Sequence, residues 1–180
     1  MVYVALLRGI NVGGNNKVDM KQLKELFESV GMKSVKTYIN SGNIIFVSDE
    51  KDVTKLTTSL ERAIEAEFGF AIKVLLRDLD NIRNVCKNLP ASWQNNSDMK
   101  CDVMFLWEHF DSEEVLKQLT IKPGIDDVKY VLGAILWRVD RKLVTKSGMT
   151  KIVGSELYKH MTIRNCNTTR KLLTLMEAAA

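Results

Sequence analysis

An α+β fold made of two ferredoxin-like β-α-β-β-α-β modules is predicted by three observations: the order of elements in the first half, its partial repetition in the second, and amphipathic helical segments alternating with short apolar runs. The modules divide the chain into 1–90 and 91–180. They form a degenerate duplication of antiparallel sheets with helices packed on one face, and a C-terminal helix reaches across the modules. At 180 residues, 46% of them hydrophobic, the chain is large enough for one domain or two small ones with a buried core.

Each element of the first module has its own signal. Residues 2–7, all apolar or aromatic and ended by Gly9, suit a buried central strand that closes at Arg8. Asp19 with Gln22 three residues on reads as a capping box, after which Met20, Leu23, Leu26, Phe27 and Val30 recur at helical spacing until Gly31. Residues 34–39 alternate, Ser41 and Gly42 turn the chain, and residues 44–47 are apolar, which together make a hairpin. Val53, Leu56, Leu60, Ala63, Ile64 and Phe68 then mark a long helix stopped by Gly69, and residues 72–75 return as a strand.

Asp78 caps a short helix that runs to Pro90, and the polar residues 91–100 form a linker. Beyond it, residues 101–107 read as a strand, Asp111 opens a helix through Leu119, and residues 128–132 and 135–139 form a hairpin about Gly133 and Ala134. In place of a last strand, a helix is expected near residues 151–160, then the segment Thr162, Ile163, Arg164 and Asn165, then a final helix bearing Leu172, Leu173, Leu175 and Met176.

Composition narrows the function. A net charge of +4 with interspersed signs permits an acidic partner without demanding one, and leaves weak nonspecific nucleic-acid binding through surface Lys and Arg open. No stretch reaches the roughly 20 apolar residues of a membrane span, and residues 1–3 enter a strand-like run instead of a cleavable signal, so a cytoplasmic protein with no membrane partner is expected. Cys86, Cys101 and Cys166 are widely spaced and only His109 and His160 could join them, so neither a disulfide framework nor a metal site is expected.

Three segments punctuated by Asn and Gly fall where regular elements end: residues 7–14, 38–43 and 161–165. Such turns tolerate left-handed backbone and present amides. In the first, Gly9 and Gly14 mimic part of a phosphate-binding loop, but Asn15 and Asn16 replace its Lys and Ser/Thr, which leaves generic anion binding with help from Arg8 and Lys17. In the second, Ser41 is not in a strained nucleophile elbow. In the third, Asn and Thr caps begin a helix beside Arg164, Arg170 and Lys171, a setting suited to carboxylate or phosphate. Ser147 with Lys146 and Lys151 lacks the Ser-x-x-Lys spacing, since Thr150 is the third residue on. Tyr3 could stack an RNA base, yet Asn43 and Ile45 stand where the partner strand needs aromatics. Trp93, Trp107 and Trp137 are expected as core or interface anchors.

These segments, with residues 132–137 and 168–172, resemble the signature of the bacterial domain of unknown function 1697 family over nearly the whole chain. The most specific parts are residues 6–14 and 38–43. Cys166 departs from the family pattern, which commonly has Trp there. The resemblance implies a compact cytosolic α+β protein with ferredoxin-like modules, no established activity and no catalytic residue to carry over.

The leading expectation is a binding or regulatory protein with a polar cleft for a small anionic or phosphate-containing ligand, drawing on Arg8, Asn11, Gly13, Gly14, Lys17, Asn40, Ser41, Asn43, Arg164 and Asn165. It requires the loop after Arg8 to meet the Ser41 turn. An enzyme using Ser41 or Cys166 covalently or Lys151 as base, and a nucleic-acid or protein interaction module, are the rival classes. Neither ligand, cofactor nor oligomeric state is legible in the sequence.

Overall fold

Strand β1 (Val2–Leu7) is central to its sheet, with five of its six residues buried and both edges bonded. In this computed structural model, which describes residues 1–180, it is followed by α1 (Met20–Ser29), β2 (Lys33–Tyr38), β3 (Asn43–Val47), α2 (Val53–Phe68) and β4 (Val74–Asp78). The strands pair antiparallel in the order β2-β3-β1-β4, the ferredoxin-like arrangement expected.

Period-two alternation puts Tyr3, Ala5 and Leu7, Ile44 and Phe46, and Val74 and Leu76 on one face, where they meet Leu23 and Phe27 of α1 and Leu56, Leu60 and Ile64 of α2. Phe27 sits edge-on to Phe46, and Tyr3 stacks on that same ring at 5.7 Å between centroids. Tyr3 is only 1% exposed, so the residue that could have stacked an RNA base is spent on the core. Asp19 caps α1, its carboxylate accepting from the Gln22 amide at 2.8 Å, although the Gln22 side chain donates to Glu67 at 2.6 Å where a full capping box would turn it back, and Gly69 adopts φ 80° to end α2.

Residues Met1–Asp80 with Leu172–Ala180 form one unit and Asn81–Lys171 a second. Helix α3 (Leu79–Asn88) begins at the division, and α4 (Cys166–Glu177) starts in the second unit and ends in the first. The second unit holds β5 (Met99–Leu106), β6 (Asp126–Val131), β7 (Ala134–Asp140) and β8 (Met161–Asn165), again antiparallel and in the matching order β6-β7-β5-β8.

Two expectations are corrected there. The segment holding Thr162, Arg164 and Asn165 is the fourth strand, paired along β5 from Leu106 opposite Met161 to Asp102 opposite Asn165. The helices expected from Asp111 to Leu119 and near residues 151–160 are short 3-10 turns, at Glu113–Gln118, Gly148–Lys151 and Leu157–His160. Apolar residues at helical spacing over one turn anchor a 3-10 turn as readily as an α-helix.

These turns cover the sheet face bearing Met104, Leu106, Ile135, Trp137, Val139 and Met161, with Val115, Met149, Ile152 and Leu157 packed into it. One buried carboxylate pins them. Asp126 accepts from the Ser147 hydroxyl, the Gly148 amide at 2.9 Å, the Lys122 amide at 2.8 Å and the Trp137 indole at 3.1 Å. Burial opposes ionisation of Asp126, but the bonds from Ser147, Gly148, Lys122 and Trp137 outweigh it and hold the carboxyl below its ordinary value. Gly148 is seated so closely that a Cβ there would lie 1.5 Å from the Thr120 carbonyl oxygen.

Two outcomes follow. Asp126→Ala leaves four donors unmatched, three of them at buried residues, and should cost upwards of ~3 kcal/mol in urea denaturation. Because the folded carboxyl titrates below the unfolded one, its contribution is present above about pH 4 and is lost as pH falls through the folded value. The wild type should therefore lose more stability than Asp126→Asn between pH 5 and pH 3, measured by thermal unfolding.

Candidate functional site

Two of the three Asn/Gly segments meet, and the register explains why. β1 runs antiparallel to β3 with Leu6 opposite Asn43, so the chain leaves β1 at the end of the sheet where the β2–β3 turn enters β3. The Leu7 amide donates to the Gly42 carbonyl at 2.9 Å. Gly42 has φ 78° and a Cβ there would lie 2.7 Å from that of Leu7, so the close approach requires glycine.

Asn11 fastens the two loops. Its carboxamide nitrogen donates to the Asn40 carbonyl at 2.8 Å and the Val18 carbonyl at 3.0 Å, and its oxygen accepts from the Val18 amide at 2.8 Å. The loop it braces carries positive φ at Asn11, Gly13, Gly14 and Asn16 and closes on itself, the Asn11 amide donating to the Asn16 carbonyl and the Asn15 amide to the Val12 carbonyl, each at 3.1 Å. Asn11, Gly14, Lys17 and Asn40 line a groove of about 630 Å³ in the first unit, with Val18, Asp19, Met20, Gln22 and Phe68 as its other walls. Its lining holds one cation, Lys17, and one carboxylate, Asp19, which already caps α1.

The remaining residues of the expected cleft stand apart from that lining. Gly13 is exposed at the loop tip, and half-buried Arg8 donates its amide to the Lys73 carbonyl at 3.0 Å. Asn43 is buried, donating to the Tyr38 carbonyl and the Ser41 hydroxyl at 3.0 Å each, and no histidine lies in the first unit to activate Ser41. Arg164 and Asn165 belong to the second unit. Arg164 is 7% exposed, bonds to the Thr162 hydroxyl at 3.0 Å and the Ile163 carbonyl at 2.9 Å, and is lowered by burial to about 10, so it is still a cation at neutral pH. The Asn165 side chain caps α4 by accepting from the Thr168 amide at 2.9 Å. Ser147 is bound to Asp126 beneath the 3-10 turns, and Lys151 is exposed.

The second unit contains a cavity of about 460 Å³ that the turn segments did not reveal. Its floor is Asp102 and Met104 of β5 with Ile163 and Asn165 of β8, placed side by side by the pairing of those strands. Its wall is the strap 141–153, contributing Arg141, Val144, Met149, Thr150 and Ile152. Lys100 pairs with Asp102 at 3.0 Å. Arg141 is held by the Asn96 carbonyl at 2.9 Å and the Asn95 side chain at 3.1 Å, and no carboxylate pairs with it. Lys142, Lys146 and Lys151 are on the same strap, also without ion pairs. A run of four basic residues with no acid between them was the available sequence signal.

Asn11→Ala removes three bonds and should cost about 2 kcal/mol in urea denaturation, with faster hydrogen exchange at the Val18 amide. Comparison with known proteins places this arrangement. A conserved bacterial protein of Streptococcus pneumoniae is 30% identical in sequence, with a TM-score of 0.83 over 97% of this chain and 98% of its own. No curated protein resembles the chain closely enough to count as a match. The profile of a protein family of unknown function, DUF1697, matches residues 1–137, and the chain therefore belongs to that family.

Proposed function

We propose that the chain is a binding protein for a small organic anion with an apolar body, seated in the cavity of the second unit. The observation that carries this reading is Arg141, a cation in the lining without a carboxylate partner, since the lining's carboxylate, Asp102, already pairs with Lys100, beside the apolar side chains of Met104, Met149, Ile152 and Ile163. A cavity of this size suits a small molecule, and a few placed polar groups on a largely apolar lining fix orientation. Arg141, aligned by Asn95 and Asn96, takes the carboxylate or phosphate, and the apolar wall takes the remainder.

The groove of the first unit supports a second reading, a polar ligand held by Lys17 beside the backbone of Gly14 and Asn40. It is the weaker anion seat because Asp19 offsets Lys17 in the same lining.

Thermal unfolding with 4-phenylbutyrate, octanoate, phenyl phosphate and pyrophosphate at low and high salt tests both. An amphipathic anion should stabilise the protein at high salt, and Arg141→Gln should weaken it tenfold or more while Lys17→Gln leaves it unchanged. The reverse pattern moves the site to the first unit. Stabilisation by no small anion, or by polyanions at low salt alone, sinks the proposal.

A further inference from the structure

Cys101 lies in β5, and Cys166 is the first residue of α4, one step past the last registered pair of β5 and β8, Asp102 opposite Asn165. Continuing the antiparallel register by that step sets the two cysteines against each other. Asp102 opposite Asn165 holds the two backbones together one residue away, and the thiol of Cys101 is within hydrogen-bonding reach of the Cys166 sulfur, so the two sulfurs are neighbours. Both side chains are fully buried, and neither is in a disulfide.

Their environments differ. The Cys101 thiol hydrogen-bonds to Cys166 and draws it down to about 7 against the effect of burial, with the Arg170 guanidinium adding to the pull. The same contact with Cys166, then burial, holds the Cys101 thiol up. Cys166 also sits at the N-terminus of a 12-residue helix, where thiolates are favoured. Arg170, one turn along, is fixed by the Trp93 and Pro90 carbonyls at 2.8 Å each. A thiol poised as nucleophile therefore faces a second thiol that keeps its proton.

We propose that Cys101 and Cys166 form a redox-active dithiol that a small peroxide converts to an internal disulfide. The Cys166 thiolate attacks one oxygen of hydrogen peroxide and the O–O bond breaks. Hydroxide leaves, recovers the proton the thiol released and becomes water, and the sulfur becomes a sulfenic acid. The Cys101 sulfur then attacks that sulfur, the S–OH bond breaks, and the departing hydroxide takes the Cys101 proton as a second water. Two thiols give up two electrons and one peroxide becomes two waters. Hydrogen peroxide, little larger than water, is the oxidant suited to a buried pair. Cys86 takes no part; its sulfur lies 3.8 Å from the Thr169 carbonyl.

The reduced native protein is treated with hydrogen peroxide, quenched with catalase, alkylated in denaturant and mapped by mass spectrometry. Titratable thiols should fall from three to one, with a Cys101–Cys166 linked peptide and Cys86 alkylated. In Cys101→Ser the reaction should stop at a Cys166 sulfenic acid trapped by dimedone. Three thiols persisting, a linkage through Cys86, over-oxidation of Cys166 in the wild type without linkage, or the same product in Cys101→Ser each overturn the proposal.

Discussion

A single buried carboxylate governs the second unit. Its sheet is not covered by the two amphipathic helices that cover the first, so the layer above it has no ladder of i to i+4 bonds to hold its shape. Asp126 replaces that ladder from the outside. By accepting from residues 122, 137, 147 and 148 together, it joins the sheet beneath to two separate segments of the irregular chain around it. Gly148 must then pass against Thr120, and the strap that follows is committed to the path that walls the cavity. Irregular backbone is costly to bury unless its polar groups are matched, and here a side chain supplies the match.

The first unit solves the same problem with regular structure. Its helices satisfy their own backbones, and the loops at one end of the sheet are left to be tied by Asn11. The two sheets nevertheless share more than strand order. β4 and β8 both place an arginine fourth, Arg77 and Arg164, each donating to the carbonyl of the residue before it, followed by Asp78 or Asn165 and then directly by a helix. The duplication is carried by this ending as well as by topology, although the strands read Val-Leu-Leu-Arg-Asp and Met-Thr-Ile-Arg-Asn.

What could be read from the sequence tracks how locally each feature is encoded. The first module was legible because Asp19, Gly69 and the apolar stripes of α1 and α2 act within their own turns. β8 was not, because Thr162 and Arg164 are buried polar residues in a strand of five, and only pairing with β5 makes them a sheet. The meeting of the Gly9 loop with the Ser41 turn follows from the ferredoxin-like order, which sets β1 beside β3, but that Asn11 is the residue fastening them is a long-range contact that no spacing declares. Asp126 looks like any acidic residue at a strand end, and the cavity is assembled from strands and strap that are 40 residues or more apart in places. The basic residues from Arg141 to Lys151 stand close together in the sequence, but nothing there declares the cavity wall they belong to.

The indole of Trp137 gives this architecture an optical handle. Of the three tryptophans it alone is fully buried, and its ring nitrogen donates to the carboxylate that anchors the cover. Trp93 and Trp107 are each partly open to water. The blue component of the emission spectrum thus belongs to Trp137, so a shift in that component is a direct signal that the cover over the second sheet has lifted or that its anchoring carboxylate has taken up a proton.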